Sequence, residues 1–140
     1  MYKRQEQEEQ VHFIVAADNP VAGCSWKLSE ISQNEFVLTE QAMSYRKILN
    51  ETLASQSLEI RPVLEIGNPL QICEIVKNSR LLSFLPDFIS QGYVKSGQLQ
   101  TLDVADCQVK VWTQLLIHKN KWRSSALSAF ISYYRNVMQE

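Results

Sequence analysis

The sequence predicts an α/β domain built on a parallel sheet, and three observations carry that prediction. Between Phe36 and Leu85, short apolar strand candidates alternate with amphipathic helix candidates across short loops. The stretch Arg61 to Leu102 holds a strand, a helix opened at Gly67-Asn68-Pro69, a second strand ending at Pro86 and a Gly-punctuated exit. The 140 residues are 45% hydrophobic and 9% aromatic, enough for the core of one domain. Right-handed crossovers would make the Phe36–Leu85 segment a β-α-β-α-β unit of three parallel strands. Its loops then lie at the carboxyl ends of the strands, the edge where open α/β sheets bind small ligands.

Each element has a local reason. Residues 1–10 are polar, charged and without apolar period, and read as a disordered or vector-derived tail. Val11 to Ala17 is a strongly apolar strand, broken by the turn-forming Asp18-Asn19-Pro20. A helical turn fits Leu28 to Ser32. Phe36-Val37-Leu38 is a short buried strand followed by Thr39-Glu40. From Met43 to Ser55 the residues Tyr45, Ile48, Leu49 and Leu53 share one helical face. Ile60 to Ile66 is a strand whose Pro62 is easiest to place on a sheet edge.

Asn68-Pro69-Leu70-Gln71 is a strong helix start, with Asn as N-cap, Pro first in the helix and Gln three residues after the cap. Ile72, Ile75 and Val76 continue its inner face. Leu81 to Leu85 reads as an interior parallel strand ended by Pro86-Asp87, with a helical turn over Phe88–Tyr93 and a turn at Lys95–Gln98. Gln108 to His118 is a long strand. The closing helix carries Leu127, Phe130, Ile131, Tyr134, Val137 and Met138 as one stripe. Two long strands entering and leaving a compact α/β unit look like a two-domain hinge.

Composition excludes several functions. The net charge of −1 gives this segment no basic footprint for gripping nucleic acid. Apolar runs are too short for a membrane span, and no secretory signal begins the chain. Cys24, Cys73 and Cys107 are far apart with no CxxC, which reads as buried or semi-buried free thiols and no metal site. No G-x-S-x-G, HExxH, P-loop or G-x-G-x-x-G occurs, and His12 and His118 sit in apolar strands as structural histidines. No catalytic set, cofactor site or metal site is expected.

The ordered motifs resemble the effector-binding domain of LysR-type transcriptional regulators. The arginine-bearing helix after the first strand of that domain corresponds to Tyr45-Arg46-Lys47-Ile48-Leu49, and the helix running to "lV" ends at Ile75-Val76. The strand ending Leu-Pro is Leu81 to Pro86, the G-x-L-x-x-L exit is Gly97 to Leu102, and the closing "aFi" is Ala129-Phe130-Ile131. Val15 to Ala22 resembles the crossover "v-x-x-d-H-P-l-a", with Asn19 where His is common. One departure is Asn78-Ser79-Arg80-Leu81, where the family has Gly-x-Gly. The likeness covers about residues 11–136.

That resemblance implies a three-layer α/β/α, type II periplasmic-binding-protein-like subdomain with a mixed, mainly parallel sheet. Residues 11–107 would form effector-binding subdomain II, and residues 108–140 the strand and helix returning to subdomain I. The rest of subdomain I and the DNA-binding domain would lie outside this chain. The function implied is cytoplasmic sensing of a small molecule, an organic anion or an amino-acid-like compound, to control transcription. Partners would be that effector, a second copy in a homodimer (a tetramer in the full-length protein), and DNA only through an N-terminal winged helix-turn-helix. Alternatives are a solute-binding module unrelated to transcription and a pure oligomerisation or interaction domain.

The expected effector-binding residues are Thr39, Glu40, Ala42, Met43, Ser44, Gly67, Asn68 and Pro86. They cluster at two crossover loops whose helix N-termini favour anions. Thr39 and Asn68 could instead only cap their helices. Glu40 would disfavour an anion and prefer an amine, and Arg46 either offsets it or is a solvated or dimer-facing charge. The resemblance places dimer contacts on the Tyr45–Leu53 helix and the Pro62 strand. Trp112, Trp122, Tyr133 and Tyr134 would face subdomain I or lie exposed.

Overall fold

A computed structural model describes residues 2–118, 120 and 122–138. The elements run β1 (Tyr2–Ala16), β2 (Ser25–Trp26), α1 (Leu28–Ile31), β3 (Val37–Leu38), α2 (Ser44–Ser55), β4 (Leu64–Glu65) and α3 (Pro69–Lys77). They continue with β5 (Ser83–Pro86), α4 (Asp87–Lys95), β6 (Leu99–Thr101), β7 (Asp103–Val104), β8 (Val109–His118) and α5 (Ser125–Met138). The chain divides into two compact units, residues 9–111 and residues 1–8 with 112–140. The sequence had suggested divisions after residues 10 and 107.

The larger unit is a mixed sheet with helices on it. β3 pairs with β4 in parallel, Phe36 bridges to Leu82 in parallel, β5 pairs with β1 antiparallel, and β1 pairs with β6 antiparallel. The order is therefore β4-β3-β5-β1-β6, with β1 opposed to the other four. The parallel β-α-β-α-β unit is present as the sequence indicates. Because β3→β4 and β4→β5 step in opposite directions, right-handed crossovers put α2 and α3 on opposite faces. α4 packs against α3 and shares its face. β4 lies at the edge, the position that Pro62 tolerates.

Two expectations change. The polar start is no tail, since β1 already begins at Tyr2. β8 pairs with β1, and a paired backbone needs no apolar side chains to hold a strand. β1 is an interior strand between β5 and β6, which is why Val11 and Phe13 through Ala16 are all buried. Finally, Cys24 is exposed in the turn before β2, whereas Cys73 and Cys107 are buried and burial pushes each thiol up to about 11.

The core is centred on three phenylalanines from neighbouring strands. Phe13 and Phe84 face each other across the β1–β5 ladder with ring centroids 4.8 Å apart, and Phe36 meets Phe13 edge-on at 5.9 Å. α2 adds Tyr45, Leu49 and Leu53 at helical spacing, and α3 adds Ile72, Cys73 and Val76. Asn19 accepts from the Val21 amide at 3.1 Å and donates to the Arg80 carbonyl at 3.3 Å, fixing the turn after β1 to the loop before β5.

In the smaller unit α5 forms as expected, but its stripe is mostly uncovered. Ile131 is buried, Leu127 and Tyr134 are half-buried, and Phe130 and Val137 are exposed. Trp112, Trp122 and Tyr133 are exposed too.

Candidate binding site at the carboxyl edge of the sheet

Strand register gathers the candidate residues. β3 and β4 pair Val37 with Leu64 and Leu38 with Glu65, so two residues further on Glu40 arrives beside Gly67. A β-carbon on Gly67 would stand 3.0 Å from Glu40 Oε1 and 3.5 Å from its Cδ, so the carboxylate lies over the glycine. The Phe36–Leu82 register carried four residues on sets Glu40 level with Pro86, and Pro86 pairs with Val11 of β1. Gly67, Glu40, Pro86 and Val11 thus form one row across four strands spaced roughly 4.8 Å apart.

Three helices begin at this row, and each start is finished differently. At α3 the Asn68 side chain accepts from the Leu70 amide at 3.0 Å and Pro69 has no N–H to satisfy. At α4 the start is Pro86, which is buried, and Asp87 brings an acid to the first turn. At α2 the N-cap is Met43, which makes no side-chain cap, and the first turn holds no acid. Thr39 is not the cap. It is buried four residues earlier, and its backbone carbonyl accepts from Arg46 Nη1 at 2.5 Å. Glu40, Ala42 and Ser44 are exposed around this open first turn, and Met43 is half-buried.

Arg46 does not offset Glu40. Its side chain is buried and its guanidinium is taken up by the Thr39 carbonyl, by Glu65 Oε1 at 3.4 Å and by Asn50 Oδ1 at 3.4 Å. It lines a hollow of about 490 Å³ beside α2, together with Leu53, Leu58 and Pro62. Tyr45 belongs to the core. Burial raises its pKa, the neighbouring Thr39 side chain partly counters this, and the hydroxyl makes no full hydrogen bond. Leaving such a hydroxyl unpaired costs about 1–3 kcal/mol.

Sequence reasoning missed the end of the row contributed by β1. His12 Nδ1 lies 2.6 Å from Asp87 Oδ1, with both side chains roughly two-fifths exposed. Burial and the charge of Asp87 raise the Glu9 carboxyl above its ordinary range. Pro86-Asp87 was legible as the end of a strand, but the histidine that meets Asp87 is 75 residues away in an antiparallel strand. His118, by contrast, accepts from the Asn120 amide at 3.2 Å. Among the described residues no group of three His, Cys, Asp or Glu could hold a metal ion.

Comparison with known proteins settles the family. The profile described as "LysR substrate binding domain" matches residues 3–139. The chain belongs to the LysR substrate-binding domain family. Curated relatives of this LysR domain are transcriptional regulators of Bacillus subtilis (strain 168). An uncharacterized HTH-type transcriptional regulator, YwqM, is 27% identical over 134 residues, covering 94% of this chain and 45% of that protein. The HTH-type transcriptional regulator GltR is 24% identical over 132 residues, covering 94% of the chain and 44% of GltR. The chain thus spans under half the length of these relatives. Among solved structures, the regulatory domain of Synechocystis PCC6803 CcmR in complex with 2-PG superposes with a TM-score of 0.83 at 18% identity, covering 99% of this chain and 68% of that one. That likeness establishes the type II periplasmic-binding-like fold. No helix among the described residues is long and apolar enough to cross a membrane.

Proposed function

We propose that this LysR substrate-binding domain senses a small molecule at the carboxyl edge of its sheet and relays occupancy to a DNA-binding domain of the same regulator, without catalysing a reaction. The observation that carries the reading is the row of strand ends Gly67, Glu40 and Pro86 beside an α2 whose first turn has no side-chain cap. The contact set is Thr39, Glu40, Ala42, Met43, Ser44, Gly67, Asn68 and Pro86. Thr39 shapes the loop, and Asn68 presents what its cap leaves over. The complex of CcmR with 2-PG supports small-molecule binding on this fold. The whole regulator works in the cytoplasm as a homodimer. Val63 and Leu64, exposed on the edge strand next to the hollow beside α2, favour pairing there.

The test is thermal denaturation of the chain against a panel of small carboxylic acids and amino acids, repeated with Ala42→Trp to obstruct the exposed edge. At least one compound should raise Tm saturably and lose that effect in the variant. A panel without any shift, or a shift indifferent to Ala42→Trp, overturns the reading. Sedimentation equilibrium should give a dimer, and a monomer at high concentration removes the pairing.

A further inference from the structure

The row has an unusual charge balance. Among the described residues its acids are Glu9 on β1, Glu40 after β3 and Asp87 after β5, and His12, which can carry positive charge, is already on Asp87. Arg46, the cation nearest to Glu40 in sequence, is turned inward onto Thr39 and Glu65. The Glu40 carboxylate has neither an ion pair nor a hydrogen bond among the described residues, and Gly67 leaves the space in which it rests. A simple anion would meet uncompensated negative charge here, which is how a site rejects a ligand class.

A second, independent observation concerns the start of α2. Tyr45, in its first turn, is only 6% exposed, and its hydroxyl, beside the Thr39 side chain, has no full hydrogen-bond partner. Buried hydroxyls are nearly always paired. An unpaired one next to an open helix N-terminus marks a spot with capacity for a polar ligand group.

Resting on the effector-site reading above, we infer that Glu40 makes the site selective for an amino group. The effector is a zwitterion whose ammonium seats on the Glu40 carboxylate over Gly67, while its acid end meets the first turn of α2 near Thr39 and Tyr45. An amino acid fits this description, and the corresponding acid without the amine does not.

The experiment is isothermal titration of the chain with matched pairs that differ only in the amino group: alanine and propionate, glutamate and glutarate, phenylalanine and 3-phenylpropionate. The amino member of at least one pair should bind at least tenfold more tightly than its partner. Glu40→Gln should erase that preference while leaving the unliganded Tm unchanged, since the side chain is exposed and unpaired. Gly67→Ala, whose β-carbon would push Glu40 aside, should reduce the preference in part. Deamino acids that bind the parent chain as well as their amino partners overturn amino-group selection and leave effector binding standing. An amino acid whose affinity is untouched by Glu40→Gln also overturns it. No binding by any compound overturns both.

Discussion

The helix that follows β4 begins with Asn68 as a side-chain cap and Pro69 in its first turn, whereas the helix that follows β3 begins at Met43 with neither. The two loops leave parallel neighbouring strands at the same level of the sheet. Their backbone problem is identical, because each helix start leaves N–H groups that need acceptors. At α3 the chain answers from its own sequence. At α2 it spends its polar groups elsewhere: the Thr39 carbonyl on Arg46, and Glu40 over Gly67. The difference separates a helix start finished by its own cap and proline from one left without a side-chain cap.

The largest effect should come from what holds the open loop in place. Arg46→Leu would strand the buried Thr39 carbonyl and remove the link from α2 to Glu65. Hydrogen bonds to a charged group contribute about 1.5–3 kcal/mol, so a loss of about 2–3 kcal/mol is expected. Urea denaturation should show a lower midpoint with an unchanged slope. An unchanged midpoint would mean that Arg46 is not what fixes the loop.

A reciprocal swap comes next. Asn68→Ala removes the cap of α3 and should cost about 1 kcal/mol. Met43→Ser gives α2 the side-chain cap it lacks and should add roughly 0.5–1 kcal/mol, while weakening whichever panel compound binds, because the new hydroxyl takes an amide the ligand would use. A Met43→Ser variant that binds unchanged would show that the open turn is incidental. Both stability changes can be read from thermal unfolding of the unliganded chain.

How much of this was legible in the sequence follows from the range of each interaction. The α3 start was readable because cap, proline and apolar face lie within nine residues. The β3-α2-β4-α3-β5 order was readable because each step is local and its handedness nearly fixed. Arg46 was misread because helical spacing says which face a side chain occupies, not whether a carbonyl seven residues back and Glu65 will enclose it. The role of β1 was hidden for a similar reason. Its first nine residues, Tyr2 to Gln10, carry no apolar period, and its pairing with β5 joins residues more than 60 positions apart. The meeting of His12, Glu9 and Asp87 at the row depends on that long-range register and had no local signal. Neither β6 nor its ladder to β1 was distinguishable from a turn-rich exit.

The smallest effect tests the strand end that the two-loop comparison leaves out. The Glu9 carboxyl is raised from its ordinary value of 4.5, first by burial and then by the charge of Asp87. A carboxyl that is harder to ionise in the folded state opposes folding once it is charged. Its contribution is therefore intact below about pH 4.5 and is lost as pH rises through the folded value. Glu9→Gln imitates the protonated form at every pH. The variant should be more stable than the parent at pH 7, by under about 0.5 kcal/mol as for other partly exposed sites, and the two should converge below about pH 4.5. Asp87→Asn should shrink the advantage without abolishing it, since burial is the larger cause and Asp87 the smaller. Unfolding midpoints of the parent, the two single variants and the double variant across pH 4 to 8 decide the matter. An advantage that grows toward acid pH would reverse the sign argued here, and would mean that the ionised Glu9 is the form the fold prefers.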